Sequence, residues 1–99
     1  MRMLLKWEIG LEAANDAIRS GKMGELNQSL MALIRPEAAY FGTEGGTRTG
    51  YLFFNMDDTA QIPVIAEPLF QELQSKVEFI PVMNQDDLRR GLATLTGEG

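Results

Sequence analysis

Arg48-Thr49-Gly50-Tyr51-Leu52-Phe53-Phe54-Asn55-Met56 is the stretch on which the fold turns. In an extended chain Tyr51, Phe53 and Asn55 share one side and Leu52, Phe54 and Met56 the other, because successive strand side chains point to opposite faces. Both sides are apolar, which predicts a central strand. Just before it, Glu37-Ala38-Ala39-Tyr40-Phe41-Gly42-Thr43 predicts a short strand, and Glu44-Gly45-Gly46-Thr47 supplies a glycine-based turn, so the two strands form a hairpin.

Two further stretches alternate. Met3, Leu5 and Trp7 fall on one side of residues 2–8, opposite Leu4, Lys6 and Glu8; near the other end, Val77 and Phe79 oppose Glu78, Ile80 and Val82. Between the strands the period changes to that of a helix. Leu11, Ala14, Ala17 and Ile18 share a face, and Met23, Leu26, Leu30, Leu33 and Ile34 continue it after a break at Ser20–Gly24, where two glycines each weaken a helix by roughly 1 kcal/mol relative to alanine. Pro36 ends that helix by Arg35. Ile62, Ile65, Ala66, Leu69, Phe70 and Leu73 recur at helical spacing, with Asp58 and Gln61 as a capping-box pair and Pro68 as a kink in the interior. Asn84 caps a last helix carrying Leu88, Leu92 and Leu95 on one side and an Asp86–Arg90 pair on the other, before a frayed tail at Thr96–Gly99.

The order β-α-β-β-α-β plus a terminal helix predicts an α+β fold of the ferredoxin-like kind, one domain over residues 1–99, with both principal helices on one face of a four-stranded antiparallel sheet in the order 4-1-3-2. Met3, Leu5, Trp7, Leu52, Phe54, Met56, Val77 and Phe79 then face the helices. Leu4, Lys6, Tyr51, Phe53, Asn55, Glu78 and Ile80 collect on the opposite face, half apolar and half polar. No element remains to cover them, and such a patch exceeds what monomers usually expose. A two-fold homodimer, sheet against sheet, is the expected solution, with a mixed apolar and polar cavity between the sheets.

Composition narrows the chemistry. The chain has no cysteine and no histidine, so thiol nucleophiles, thiolate metal sites, imidazole proton shuttles and the commonest zinc and haem ligands are unavailable to it. Any catalysis must run through Asp, Glu, Lys, Tyr or Arg, and no triad can be assembled. No cofactor and no metal is expected; Asp57 and Asp58 are explained by capping, and Glu44–Thr47 lacks the ending of a phosphate loop. The nine basic residues are scattered and the net charge is −5, so nucleic acid is not an expected partner. The apolar run at residues 3–5 is too short for a signal peptide or a membrane span, which makes the cytoplasm the expected location and a membrane an unexpected partner.

The motifs Pro36–Phe41, Arg48–Phe54, Asp57-Asp58, Ile62–Phe70 and Val77–Met83 resemble those of a group of uncharacterised small bacterial proteins of the dimeric α+β barrel superfamily, which also holds muconolactone isomerase and the antibiotic-biosynthesis monooxygenases. The likeness covers most of the chain from Pro36 to Leu88. It implies the fold and dimerisation, and it carries over no catalytic residue.

Six residues stand out as candidate ligand contacts: Lys6, Tyr40, Arg48, Tyr51, Asn55 and Glu78. Tyr51 and Asn55, on the cavity side of the central strand, are placed to orient a small ligand, although an interface tyrosine is the simpler account of the first. Lys6 and Glu78 lie on neighbouring strands and are expected to pair, either as an acid–base couple or, more simply, as a structural ion pair. Tyr40 and Arg48, on the two arms of the hairpin, are placed to meet a ligand anion; Arg48 serves equally well as a solvated strand end. The function expected is a small-molecule binding module with a cavity at the sheet face, the pocket lying either between sheet and helices or at the dimer centre, with a cofactor-free isomerase or monooxygenase acting on a small aromatic or polyketide-like substrate as the alternative.

Overall fold

The computed structural model describes residues 1–97 as one α+β arrangement consistent with the ferredoxin-like fold. Its elements are β1 (Arg2–Glu8), α1 (Leu11–Ser20), α2 (Lys22–Ile34), β2 (Ala38–Glu44), β3 (Thr47–Asn55), α3 (Gln61–Leu73), β4 (Lys76–Pro81) and α4 (Gln85–Leu95). The four strands form one antiparallel sheet in the order β2-β3-β1-β4, as expected, with β3 and β1 central.

The predicted inward set packs under α1, α2 and α3. Met3, Leu5, Trp7, Leu52, Phe54 and Met56 are buried, joined by Ala14, Ala17, Leu30, Ile34, Ile65, Leu69 and Leu73 from the helices, with Val77 and Phe79 at the margin. Phe70 departs from the expected stripe and stays exposed, because it lies at the edge of the arc whose centre Ile65, Ala66 and Leu69 occupy.

Local chemistry accounts for the boundaries, with some corrections. The helical break is Gly21 alone, left-handed at φ 81°, and α2 runs straight through Gly24 because the burial of Leu30 and Ile34 outweighs one glycine's helix cost. The hairpin is tighter than its sequence suggests: Glu44 and Thr47 belong to the strands, and Gly45-Gly46, both at positive φ (61° and 81°), make a two-residue turn whose twist suits antiparallel strands. Gln61 accepts from the backbone N–H groups of Asp57 (2.9 Å) and Asp58 (3.2 Å), and α3 continues through Pro68. Asn84 and Asp87 form a reciprocal capping box at α4. The expected Asp86–Arg90 pair is present at 3.4 Å. Of the tail expected to fray, Thr96 and Gly97 turn back onto α4 through bonds to Leu92 and Thr94, and Glu98 and Gly99 lie outside the described residues.

α4 differs from the other helices. It buries none of its residues; Leu88, Leu92 and Leu95 are 45%, 52% and 82% exposed along one side. An Arg2–Asp87 contact of 3.6 Å ties its first turn to the sheet, and the rest projects, which stretches the molecule to 57 × 28 × 18 Å with a radius of gyration of 16.1 Å. A compact chain of this length has a radius near about 13 Å.

Candidate functional site

One row of residues crosses the helix side of the sheet: Phe41 in β2, Gly50 in β3, Trp7 in β1 and Val77 in β4 are register partners. Gly50 is required there by close approach. A Cβ on it would come within 2.6 Å of Trp7 Cζ2, so the indole lies flat over bare backbone. The ring is 2% exposed and meets Phe41 edge to face at 6.1 Å.

Beyond this row the helices do not close down on the sheet. A cleft of about 530 Å³ opens between β2 and β3 below and α1, α2 and α3 above. Its inner wall is Trp7, Ile9, Leu30 and Leu69, and Ile18, Met23 and Phe41 form the outer part. Nearly all of that lining is apolar, and the volume is that of a small-ligand pocket. Among the described residues Arg48 is the only charged one lining it. A second hollow of about 760 Å³, where α4 leaves the sheet, is shaped by that projection and holds Arg2, Asp87 and Arg90, which are already engaged with carboxylate partners or with one another.

The opposite face carries a separate cluster. Lys6 in β1 stands across from Tyr51 in β3, and both reach Glu44 at the end of β2: the Lys6 ammonium pairs with its carboxylate, and the Tyr51 hydroxyl donates to the other oxygen at 2.8 Å. The hydrogen bond from Lys6, then that from Tyr51, holds the Glu44 carboxyl below its ordinary range. The same carboxylate raises the Lys6 ammonium and the Tyr51 phenol above theirs. All three shifts move away from neutrality. Near pH 7 the trio is locked as ammonium, carboxylate and neutral phenol, whereas general acid–base groups work best with pKa values close to the working pH.

The six predicted contacts therefore separate. Lys6 and Tyr51 do meet, on the open face. Glu78 is opposite Lys6 in the register, but the ammonium crosses β3 to Glu44 instead, so the expected Lys6–Glu78 ion pair is replaced by Lys6–Glu44. Tyr40 and Arg48 do not converge. Tyr40 pairs with Tyr51 on the open face and Arg48 with Thr43, and strand alternation sends the two to opposite sides of the sheet. Asn55 is occupied at the sheet's end: its amide nitrogen donates to Asp57 (2.6 Å) and its oxygen accepts from the Met1 amine (2.9 Å).

Two features escaped the sequence reading. Glu44 was assigned to the turn; counting back from a two-residue Gly-Gly turn would have placed it in β2 on the face of Tyr51. A pocket between sheet and helices is one of the two placements the sequence allows, but its lining left no signal, because Trp7, Met23 and Leu26 have the spacing of ordinary core residues. Among the described residues no group of three or more acidic side chains is placed to hold a metal ion, and no helix is long and apolar enough to cross a membrane. No protein-family model, no curated protein and no solved structure matches the chain.

Proposed function

We propose that this chain is a homodimeric small-molecule binding module of the dimeric α+β barrel type, with its ligand seated in the apolar cleft between the sheet and α1–α3. The observation that carries the binding reading is that cleft: about 530 Å³ of apolar-lined space beside a buried tryptophan. Binding is favoured over catalysis because the Lys6–Glu44–Tyr51 cluster is locked in its charge state and stands on the other face.

Dimerisation is supported by two uncovered apolar surfaces, the open face around Leu4, Phe53 and Ile80 and the Leu88–Leu92–Leu95 stripe of a helix that leaves its own body. A second copy covers both without any further element, sheet to sheet and with each α4 lying along its neighbour.

Trp7 is the only tryptophan, so its fluorescence reports the cleft directly. Saturable quenching by the neutral apolar probe N-phenyl-1-naphthylamine is expected. Gly24, which lines the cleft and has nothing within 4 Å of its would-be Cβ, is the position to fill: Gly24→Phe should abolish the quenching without unfolding the protein. No saturable binding at millimolar probe removes the binding reading. Light scattering on a size-exclusion column should give twice the mass of 11.0 kDa, and a stable monomer at micromolar concentration removes the dimer.

A further inference from the structure

The proposed cleft has apolar walls and one cation. Arg48 Nη1 is fully buried with no acceptor, and the indole N–H of Trp7, on the same wall, is a second buried donor with none. Neither state is usual, since buried donors in folded proteins are nearly always partnered. Among the described residues Arg48, Arg35 and Lys76 form no ion pair, but Arg35 and Lys76 are exposed and lie outside the cleft, whereas Arg48 lines it with one nitrogen buried. An uncompensated guanidinium next to an apolar cavity is unfavourable without an anion, and its planar fork matches a carboxylate.

Resting on the cleft as the ligand site, we infer that its ligand is an organic monocarboxylate, with the head group on Arg48 and Trp7 Nε1 and an apolar chain or ring running over Met23, Leu26 and Phe41. A single cation in an otherwise uncharged wall matches one negative charge; a phosphate dianion would bring a second charge with nothing opposite it. Both orphan nitrogens are closed off from solvent, so the head group is met through small side-chain shifts of Arg48 and of the indole, the kind of adjustment that accompanies most binding. The net charge of −5 does not prevent this, since at physiological salt charges beyond about 8 Å are screened.

The test compares decanoate with 1-decanol, equal in chain length and differing in the head group, on the native protein and on Arg48→Gln. Affinities come from Trp7 fluorescence and from calorimetry. Decanoate should bind about tenfold more tightly than decanol, as expected for a charge-assisted bidentate contact. Arg48→Gln should erase that preference while decanol still binds saturably, which also shows that the variant is folded with its cleft intact. Trp7→Phe, followed by calorimetry, should weaken decanoate about threefold more than it weakens decanol, the scale of one lost hydrogen bond to a carboxylate. Equal affinity for the two ligands overturns the anion inference while the cleft stays a binding site. A preference that survives Arg48→Gln overturns the role of Arg48. Failure of both ligands to bind removes the inference together with the proposed function beneath it.

Discussion

Phe53 and Phe54 are adjacent in the chain and live in different surroundings. Phe54 points into the helix side and is fully buried, whereas Phe53 stands half-buried on the open side between Leu4 and Ala38. The contrast holds for the whole sheet. One face is closed by three helices except at an apolar cleft; the other is half apolar and half polar, with the Lys6–Glu44–Tyr51 trio set into it. What the comparison teaches is that the more uniformly apolar face becomes the core, while the apolar residues of the mixed face are left half-buried. Helices cover one side because both crossovers return over it, and the other face is left without a helix above it.

The widest gap should appear between the two phenylalanines. Phe54→Ala should lower protomer stability by roughly 3–5 kcal/mol in urea unfolding, the cost of a large aromatic lost from a packed core. Phe53→Ala should cost the protomer far less and act instead on association, shifting the dimer to monomer in light scattering. Equal losses in both, independent of protein concentration, would break the distinction between the faces.

Next is the row beneath the cleft. Gly50→Ala forces a methyl group into the Trp7 ring, and overpacking of this kind costs about 1–3 kcal/mol. The displaced indole should also change its emission wavelength. An unshifted spectrum with native stability would show that the row has slack.

A smaller effect is expected at α4, where Asn84→Ala removes the capping box at a cost of about 1 kcal/mol. Because this helix buries nothing of its own, the loss should appear as faster amide exchange in Gln85–Leu95 and leave the sheet's protection unaltered. Protection of α4 that falls on dilution would sharpen the idea that a second copy holds it.

The smallest effect concerns the trio. Glu44 has a lowered pKa in the folded protein, so the stability it adds is present above its ordinary value of 4.5 and is lost as the pH falls through the lower folded value. Lys6 has a raised one, so its share is present below 10.5 and is lost as the pH rises through its folded value. Glu44→Gln should slightly lower the thermal midpoint across the plateau between these limits and flatten its fall on the acid side. The position is half exposed, so salt should shrink the difference.

Much of the architecture could be read from local pattern. The alternation in residues 2–8 and 48–56, the helical spacing from Ile62 to Leu73 and the Asn84 cap led to the correct strand order and inward face, because side-chain period and capping depend only on near neighbours. The functional geometry was less accessible. The hairpin register, fixed by a two-residue turn, decided that Glu44 meets Lys6 and that Arg48 and Tyr40 part company, and a shift of one residue would have reversed those faces.

By itself, then, the sequence determined the α+β class, the order of the elements and which side chains could share a face, since each of these follows from spacing along one segment. Only the tertiary structure decided that the helices stand off the sheet near Trp7, that Arg48 is left there without a counter-charge and that α4 swings away with its leucines bare. Those outcomes depend on how whole elements stack at a distance, a balance among many packing contacts that no single stretch of residues encodes.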